Sequence, residues 1–375
     1  MQKNYTSLGL MSGTSGDGVD ASIINSNGID HFEVIQDKYF EYDSSIYKAF
    51  HSLKKKIYSL DDLKKFSKEI RDIERKITLF HAKIIKGFDF SNNENELVGF
   101  HGQTIYHNSK EKVSTQLGDG KLLNQLTKKK IIFNFRQKDL LNGGEGAPLT
   151  PLFHQLIISQ QKINSPICIL NIGGIANITL IKKPVGLTEI YSKDIGPGNC
   201  LIDEWVRNNC KQKYDIEGEL ASLGNVNEII FEQAQELYSN RKNKEKISYD
   251  INDFDISFSR GLSLEDGAAT LTKFTANIIG ETISLFLKKE FLIKNILICG
   301  GGRKNKVLLK NIAKYFNSKI NIRLIDDYGL DGDFIESQAF AFLAIRSFIN
   351  QPISYRWMTG CKKDECKGGK LITFK

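Results

Sequence analysis

The sequence predicts an α/β protein of two lobes that open alike, and three observations carry that prediction. Residues Tyr5 to Met11 and Val19 to Ile24 read as strands joined by a turn of small polar residues, Ser12 to Gly18. After Pro166 the pattern returns, with an apolar strand from Ile167 to Ile172, the glycine turn Gly173-Gly174, and a second strand from Ile175 to Ile181. Ile296-Leu297-Ile298-Cys299 then runs into a third glycine turn, Gly300-Gly301-Gly302, with helical periodicity on either side. Two strand–glycine–strand hairpins, each opening one half of the chain, point to a duplicated architecture around a central cleft.

Each further element follows from local signals. Asn27-Gly28 offers a turn into a third strand from about Phe32 to Tyr39. Ser59 with Asp62 marks a helix start, and Leu63, Phe66, Ile70, Ile73, Ile77 and Phe80 recur at near-helical spacing. This predicts one amphipathic helix over residues 59–87. Strand signals at Leu97 to Phe100 and Ile131 to Phe135 precede Gly143-Gly144-Glu145-Gly146-Ala147-Pro148, which breaks the chain before another helix. Helices from Asp266, over Asn305 to Phe316 and from Ile335 to Asn350 complete the pattern, and the tail from Gln351 reads as irregular. The expected division joins residues 1–133 and the tail 351–375 in an N-terminal lobe with the first hairpin, and gives 134–350 to a C-terminal lobe with the other two turns.

A chain of 375 residues, 41% hydrophobic and 26% charged, has the composition of a globular protein and the length of more than one domain. No apolar run follows a basic start, and no stretch approaches the roughly 18 apolar residues of a membrane span. A soluble cytoplasmic protein without membrane contact is therefore expected. The six cysteines are sparse, which suits a reducing compartment. Cys361 and Cys366 enclose Lys-Lys-Asp-Glu without a second close pair, so they read as unpaired loop thiols and no metal site is expected. The net charge of +8 either steers anionic ligands or reflects a lysine-rich solvated surface. Lys54-Lys55-Lys56 and Lys128-Lys129-Lys130 lack interleaved aromatics, so nucleic acid is not an expected partner.

The three glycine turns carry the chemistry. Glycine lets backbone N–H groups approach phosphate oxygens, and Ser/Thr hydroxyls add donors, so such turns form anion-binding nests as readily as plain tight turns. None matches the P-loop or the dinucleotide fingerprint. Three of them across two halves point to a nucleotide held as in the actin and hexokinase group. Asp194 opens Asp-Ile-Gly-Pro-Gly-Asn, a rigid turn that suits either a positioned base or a self-capping turn aspartate. Glu336 opens the last predicted helix, facing a ligand or favouring the helix N-terminus. His101 and His107 flank Gly102-Gln103-Thr104 and read equally as substrate contacts or structural histidines. Arg136, at a strand end, suits a bidentate carboxylate or a salt bridge.

In order along the chain, GLMSGTSGDGVD (9–20), GFHGQTIYH (99–107), FRQKDLLNGGEGAPLTPLFH (135–154), LNIGGIANIT (170–179), DIGPGNCLIDEW (194–205), GLSLEDGAATLTKFTA (261–276), ICGGGRKN (298–305) and DGDFIESQAFAFLA (331–344) resemble the bacterial anhydro-N-acetylmuramic acid kinases. The resemblance runs from about Leu8 to about Arg346 and implies an actin/hexokinase (ribonuclease H-like) fold and a homodimer. It implies conversion of 1,6-anhydro-N-acetylmuramic acid, ATP and water to N-acetylmuramic acid 6-phosphate and ADP, recycling cell-wall sugar, with Mg²⁺ held mostly by nucleotide and water. Carried onto this chain, the ATP contacts are Gly13, Thr14, Ser15, Gly16, Asp17, Gly18, Val19 and Asp20, then Gly173, Gly174 and Asn177, then Gly300, Gly301, Gly302 and Asn305. Asp194 falls on the catalytic base, and His101, Arg136, Gly196 and Glu336 on sugar contacts. Asn134, Glu145 and Arg356-Trp357-Met358 depart from the family pattern. A kinase for a free-hydroxyl sugar and an actin-like ATPase scaffold are the alternatives that this fold also allows.

Overall fold

Strand β1 (Tyr5–Ser12) is apolar and buried along most of its length, which places it at the centre of a sheet. It pairs antiparallel with β2 (Gly18–Ser26), which pairs antiparallel with β3 (Phe32–Glu41). On its other side β4 (Glu96–Asn108) runs parallel to β1, and β5 (Val113–Leu117) folds back on the far end of β4. β6 (Ile131–Phe133) runs parallel to β4, and the tail strand Lys370–Ile372 closes that edge antiparallel to β6. The second sheet repeats this plan. β7 (Ile167–Ile172), β8 (Ile175–Ile181) and β9 (Ile190–Pro197) form an antiparallel meander, and β10 (Asn295–Cys299) and β11 (Asn321–Leu324) add in parallel beside β7.

Strand order is thus β3-β2-β1-β4-β6 in one sheet and β9-β8-β7-β10-β11 in the other, with matching directions. This shared order bears out the duplication read from the hairpins and is the actin/hexokinase, ribonuclease H-like arrangement that the family resemblance implied. The computed structural model describes residues 3–88, 95–183, 190–239, 249, 251–289, 293–316 and 318–374. They fall into two compact units, Met1–Lys162 with Phe334–Lys375, and Ile163–Asp333.

In the first unit the alternation of β1 sorts its side chains. Leu8 and Leu10 join Ile73, Ile77, Val98 and Phe100 in one core. Gly9 faces the helix Ile335–Phe348: a Cβ there would stand 2.0 Å from the Ser337 carbonyl oxygen, and one at Gly99 on β4 would stand 2.5 Å from that of Phe340. Glycine on adjacent strands therefore lets the helix backbone touch the sheet. In the second unit Ala276, Ile279 and Ile283 of the helix Leu264–Lys289 pack with Leu170, Ile178 and Ile298.

Three sequence expectations change. The division lies at Lys162/Ile163 and Asp333/Phe334, so residues 134–162 and 334–350 belong with the first unit and not the second. The reason is packing: Phe153 of the helix Pro151–Gln160 lies edge-on to Phe32 at 4.8 Å, and the Gln160 amide both donates to and accepts from the Phe32 main chain. The single helix over 59–87 is two, Leu60–Lys65 and Ser67–Lys86, broken where Phe66 adopts φ −96° and ψ 19°. The tail is ordered by a short hairpin, Ser354–Tyr355 against Glu365–Cys366, and by the strand Lys370–Ile372.

Candidate active site

The first glycine turn leaves β1 at Ser12, whose hydroxyl lies 2.9 Å from that of Tyr42. Gly13 offers its carbonyl to the Gly16 N–H at 3.1 Å and to Nε2 of Gln103 at 2.8 Å. Gln103 is fully buried beside Ser12 in the β1/β4 register, and its Oε1 has no hydrogen-bond partner among the described residues. Thr14 is exposed, Gly13 and Ser15 are partly so, and Val19 and Asp20 return into β2.

The glycines of the three turns divide by what the fold demands. Gly16 has φ +65° and Gly300 φ +81°, values that favour glycine. A Cβ at Gly18 would stand 2.4 Å from the Phe40 carbonyl, and one at Gly302 would stand 2.2 Å from Ile172. Gly13, Gly173 and Gly301 differ. Their φ is ordinary, and an added Cβ would meet nothing nearer than 3.9, 3.6 and 3.8 Å respectively. Each turn therefore keeps one glycine that the fold does not require, where an added Cβ would make only ordinary van der Waals contact, so the backbone there is approachable by a ligand.

The second unit places the candidate base beside the second turn. Asp194 lies on β9, 6% exposed, and its Oδ2 accepts the Tyr249 N–H at 2.9 Å. Its register partner on β8 is Asn177, just past a bulge, so the two side chains are cross-strand neighbours. Oδ1 of Asn177 is buried and has no hydrogen-bond partner among the described residues. A carboxylate thus neighbours, on the adjacent strand, an amide oxygen with no hydrogen-bond partner among the described residues. Gly196 has φ +153°, and a Cβ there would stand 2.6 Å from Ile278, so packing accounts for this glycine.

The third turn is clamped from below. Arg303, 5% exposed, donates from Nε and Nη2 to both oxygens of Asp326, at 2.7 and 2.8 Å, and from Nη2 to Asp331 at 2.9 Å. It also pairs with Asp333 and donates to the Gly300 carbonyl at 3.3 Å, while the Gly300 N–H donates to the Gly332 carbonyl at 3.0 Å. Asn305 caps the helix Lys306–Ala313 through Leu308 N–H at 2.9 Å.

The sugar candidates of the first unit form a chain. Arg136 donates from Nε to Nε2 of His101 at 3.0 Å and from Nη1 to the Gly146 carbonyl at 2.8 Å. His101 donates from Nδ1 to the Gly102 carbonyl at 2.8 Å, and because its Nε2 accepts from Arg136 the ring is the neutral Nδ1–H tautomer. Burial first, and then the Arg136 charge, hold its pKa well below the ordinary 6.5. The ring packs over Phe340 at 4.5 Å, and Glu336 lies one helical turn before Phe340. His107 instead meets Ser114 at 2.9 Å.

Cys361 and Cys366 are free thiols, as expected, and both are buried, Cys361 in a loop and Cys366 on the strand Glu365–Cys366, with ligand atoms within 4.8 Å of each other and of Asp139. Cys361 donates to the Lys363 carbonyl at 3.0 Å and Cys366 accepts from Asn142 at 2.9 Å, and burial raises both thiol pKa values. Sequence reasoning passed over Gln103, Arg303 and Asp139. Gln103 lies on β4 and Arg303 directly follows the third glycine turn, but their roles depend on strand register and on the distant segment 331–333.

A family model described as anhydro-N-acetylmuramic acid kinase matches residues 5–372. The protein named anhydro-N-acetylmuramic acid kinase of Pelagibacter ubique is 53% identical over 379 residues, 99% of each chain. Its namesake from Zymomonas mobilis is 35% identical, covering 94% of this chain and 96% of its own. The matched span includes all three glycine turns, the Asp194 strand and the Arg136–His101 pair, so this chain belongs to the anhydro-N-acetylmuramic acid kinase family.

Proposed function

We propose that this protein is an ATP-dependent kinase that opens 1,6-anhydro-N-acetylmuramic acid with water and phosphorylates it to N-acetylmuramic acid 6-phosphate. In that sugar the oxygen at position six is an ether bridge to the anomeric carbon. It carries no proton for a base to remove, so ordinary hexokinase chemistry has no starting point. Asp194 instead takes a proton from water as the water oxygen attacks the anomeric carbon. The bond from that carbon to the bridging oxygen breaks, and the freed oxygen takes the γ-phosphoryl group of ATP, leaving ADP.

The observation that carries this reading is the pair Asp194 and Asn177. The aspartate accepts the departing proton, and the buried amide oxygen of Asn177 accepts the other hydrogen of the water and so orients it. Asn177 thereby joins the second turn to the attacking water, beside its assignment to the nucleotide. Phosphoryl transfer itself requires alignment and charge neutralisation. Backbone donors at Gly13, Gly173 and Gly301, with the hydroxyls of Thr14 and Ser15, supply the alignment. Mg²⁺ supplies charge neutralisation when bound. Among the described residues the metal-capable group is Asp139, Cys361 and Cys366, a sulfur-rich set unlike the oxygen ligands Mg²⁺ takes. The reading therefore has Mg²⁺ enter on the nucleotide, with Asp17 of the first turn and Asp20 of β2 as the carboxylates that would face it.

Arg136 binds the acidic lactyl group of the sugar and Glu336 accepts from its hydroxyls, with His101 and Gly196 shaping the contact. Gly16, Gly18, Gly174, Gly300, Gly302 and Asn305 shape the turns, and Val19 anchors the first to its sheet. No helix among the described residues is long and apolar enough to cross a membrane. A cytoplasmic location and a homodimer complete the reading. An ADP-release assay with the anhydro sugar beside ordinary hexoses tests it: release with the anhydro sugar alone is expected, and release with hexoses alone would refute it.

A further inference from the structure

We propose that Asp139 is a positioning residue for the sugar site, through which the C-terminal hairpin holds Arg136 in place. The proposal rests on the reading of Arg136 as a sugar contact. Asp139 is 2% exposed and divides its two oxygens between two parts of the chain. Oδ1 accepts the hydroxyls of Ser354 at 2.6 Å and Thr359 at 2.7 Å, both in the tail. Oδ2 accepts the Gly146 N–H at 2.8 Å. Gly146 in turn offers its carbonyl to Nη1 of Arg136 at 2.8 Å. Three successive hydrogen bonds thus run from the tail to the guanidinium.

The loop is built around this carboxylate. A Cβ at Gly144 would stand 2.1 Å from Asp139 Oδ2, and Gly146 has φ +70°. Main-chain bonds fasten the same two segments: Glu145 N–H donates to the Thr359 carbonyl at 2.8 Å, and Lys362 N–H to the Asn142 carbonyl at 2.9 Å. At the far end, Nε of Arg136 is held by His101 at 3.0 Å. Bonds at Nε and at one Nη fix the plane of the guanidinium, on which bidentate carboxylate recognition depends.

Chemistry separates the shape of Asp139 from mere bulk. An asparagine keeps its oxygen towards the Gly146 N–H, and the Ser354 and Thr359 hydroxyls rotate to accept from its amide. Asp139→Asn therefore keeps the bridge, whereas Asp139→Ala cuts it.

Steady-state kinetics of the full chain with the anhydro sugar and ATP tests the proposal. Asp139→Ala is expected to raise the sugar KM about tenfold with the ATP KM within about twofold, and Asp139→Asn to stay within about threefold of the parent. Adding Arg136→Ala to Asp139→Ala should cost no more than Arg136→Ala alone, because one acts through the other. An unchanged sugar KM in Asp139→Ala, while Arg136→Ala raises it, overturns the proposal and leaves the Arg136 reading intact. Independent, multiplying effects in the double variant overturn it too. An unchanged sugar KM in Arg136→Ala removes the Arg136 reading and the proposal with it. If Asp139→Ala fails to fold, Ser354→Ala with Thr359→Val removes the tail's donors and leaves the carboxylate. A rise in sugar KM of about threefold or more supports the bridge, and no rise overturns it.

Discussion

Nε of Arg136 donates to Nε2 of His101 at 3.0 Å, so the imidazole must be neutral where it meets the guanidinium. Burial enforces the same state. His101→Phe keeps a ring against Phe340 but removes the acceptor. Losing a charge-assisted hydrogen bond costs about 1.5–3 kcal/mol, so the sugar KM should rise by roughly 10- to 100-fold with the ATP KM unchanged. Kinetics with each substrate varied in turn checks this.

Gly13, Gly173 and Gly301, uncrowded in the fold, allow the proposed ligand contact to be tested apart from folding. Gly13→Ala, Gly173→Ala and Gly301→Ala meet no neighbour within 3.5 Å, so each should fold with a near-parental melting temperature. Each should lose nucleotide affinity by about tenfold or more, since a methyl group then occupies the approach to the backbone. Gly99→Ala, crowded at 2.5 Å by the Phe340 carbonyl, should do the reverse and unfold early. Calorimetric ATP titration beside thermal melts distinguishes the two patterns.

Acid should destabilise the first unit in a defined window. His81 and His154 are buried, and burial lowers their pKa values to about 4 and about 3. The unfolded chain takes up these protons below about 6.5, while the folded chain excludes them. Stability is therefore full above pH 6.5 and falls as pH drops towards 4, by up to about 2–3 kcal/mol per histidine at pH 4.5. Urea midpoints at pH 7 and pH 4.5 measure the slope, and His81→Phe should flatten it.

Asp194→Asn keeps the shape and removes the basicity. Turnover should fall by about 10²–10⁴, equivalent to roughly 3–5.5 kcal/mol of barrier, with nucleotide affinity barely changed. Near-parental turnover would make Asp194 structural and leave Glu336 as the next candidate base.

The strand hairpins and glycine turns were legible in the sequence because their signals are local: short apolar runs meeting at small residues. The division of the chain was not. Residues 134–162 join the first unit through contacts such as Phe32 with Phe153, and the helix Ile335–Phe348 joins it through Gly9 and Gly99, pairs far apart in sequence. The tail read as irregular because its order comes from Asp139 and β6, not from periodicity. Asp194 was legible as a candidate from its rigid turn, but its partner Asn177 required the β8/β9 register and bulge. Gln103 likewise depended on the bulged pairing of β1 with β4.

The fate of the oxygen from water tests the central claim most directly. The protein, ATP and 1,6-anhydro-N-acetylmuramic acid are incubated in ¹⁸O-labelled water, quenched before the anomeric hydroxyl exchanges, and the product is analysed by mass spectrometry. The account predicts N-acetylmuramic acid 6-phosphate with the label at the anomeric carbon, none in the phosphate, and one ADP per product. Phosphorylated sugar without label at the anomeric carbon would contradict the attack of water on that carbon.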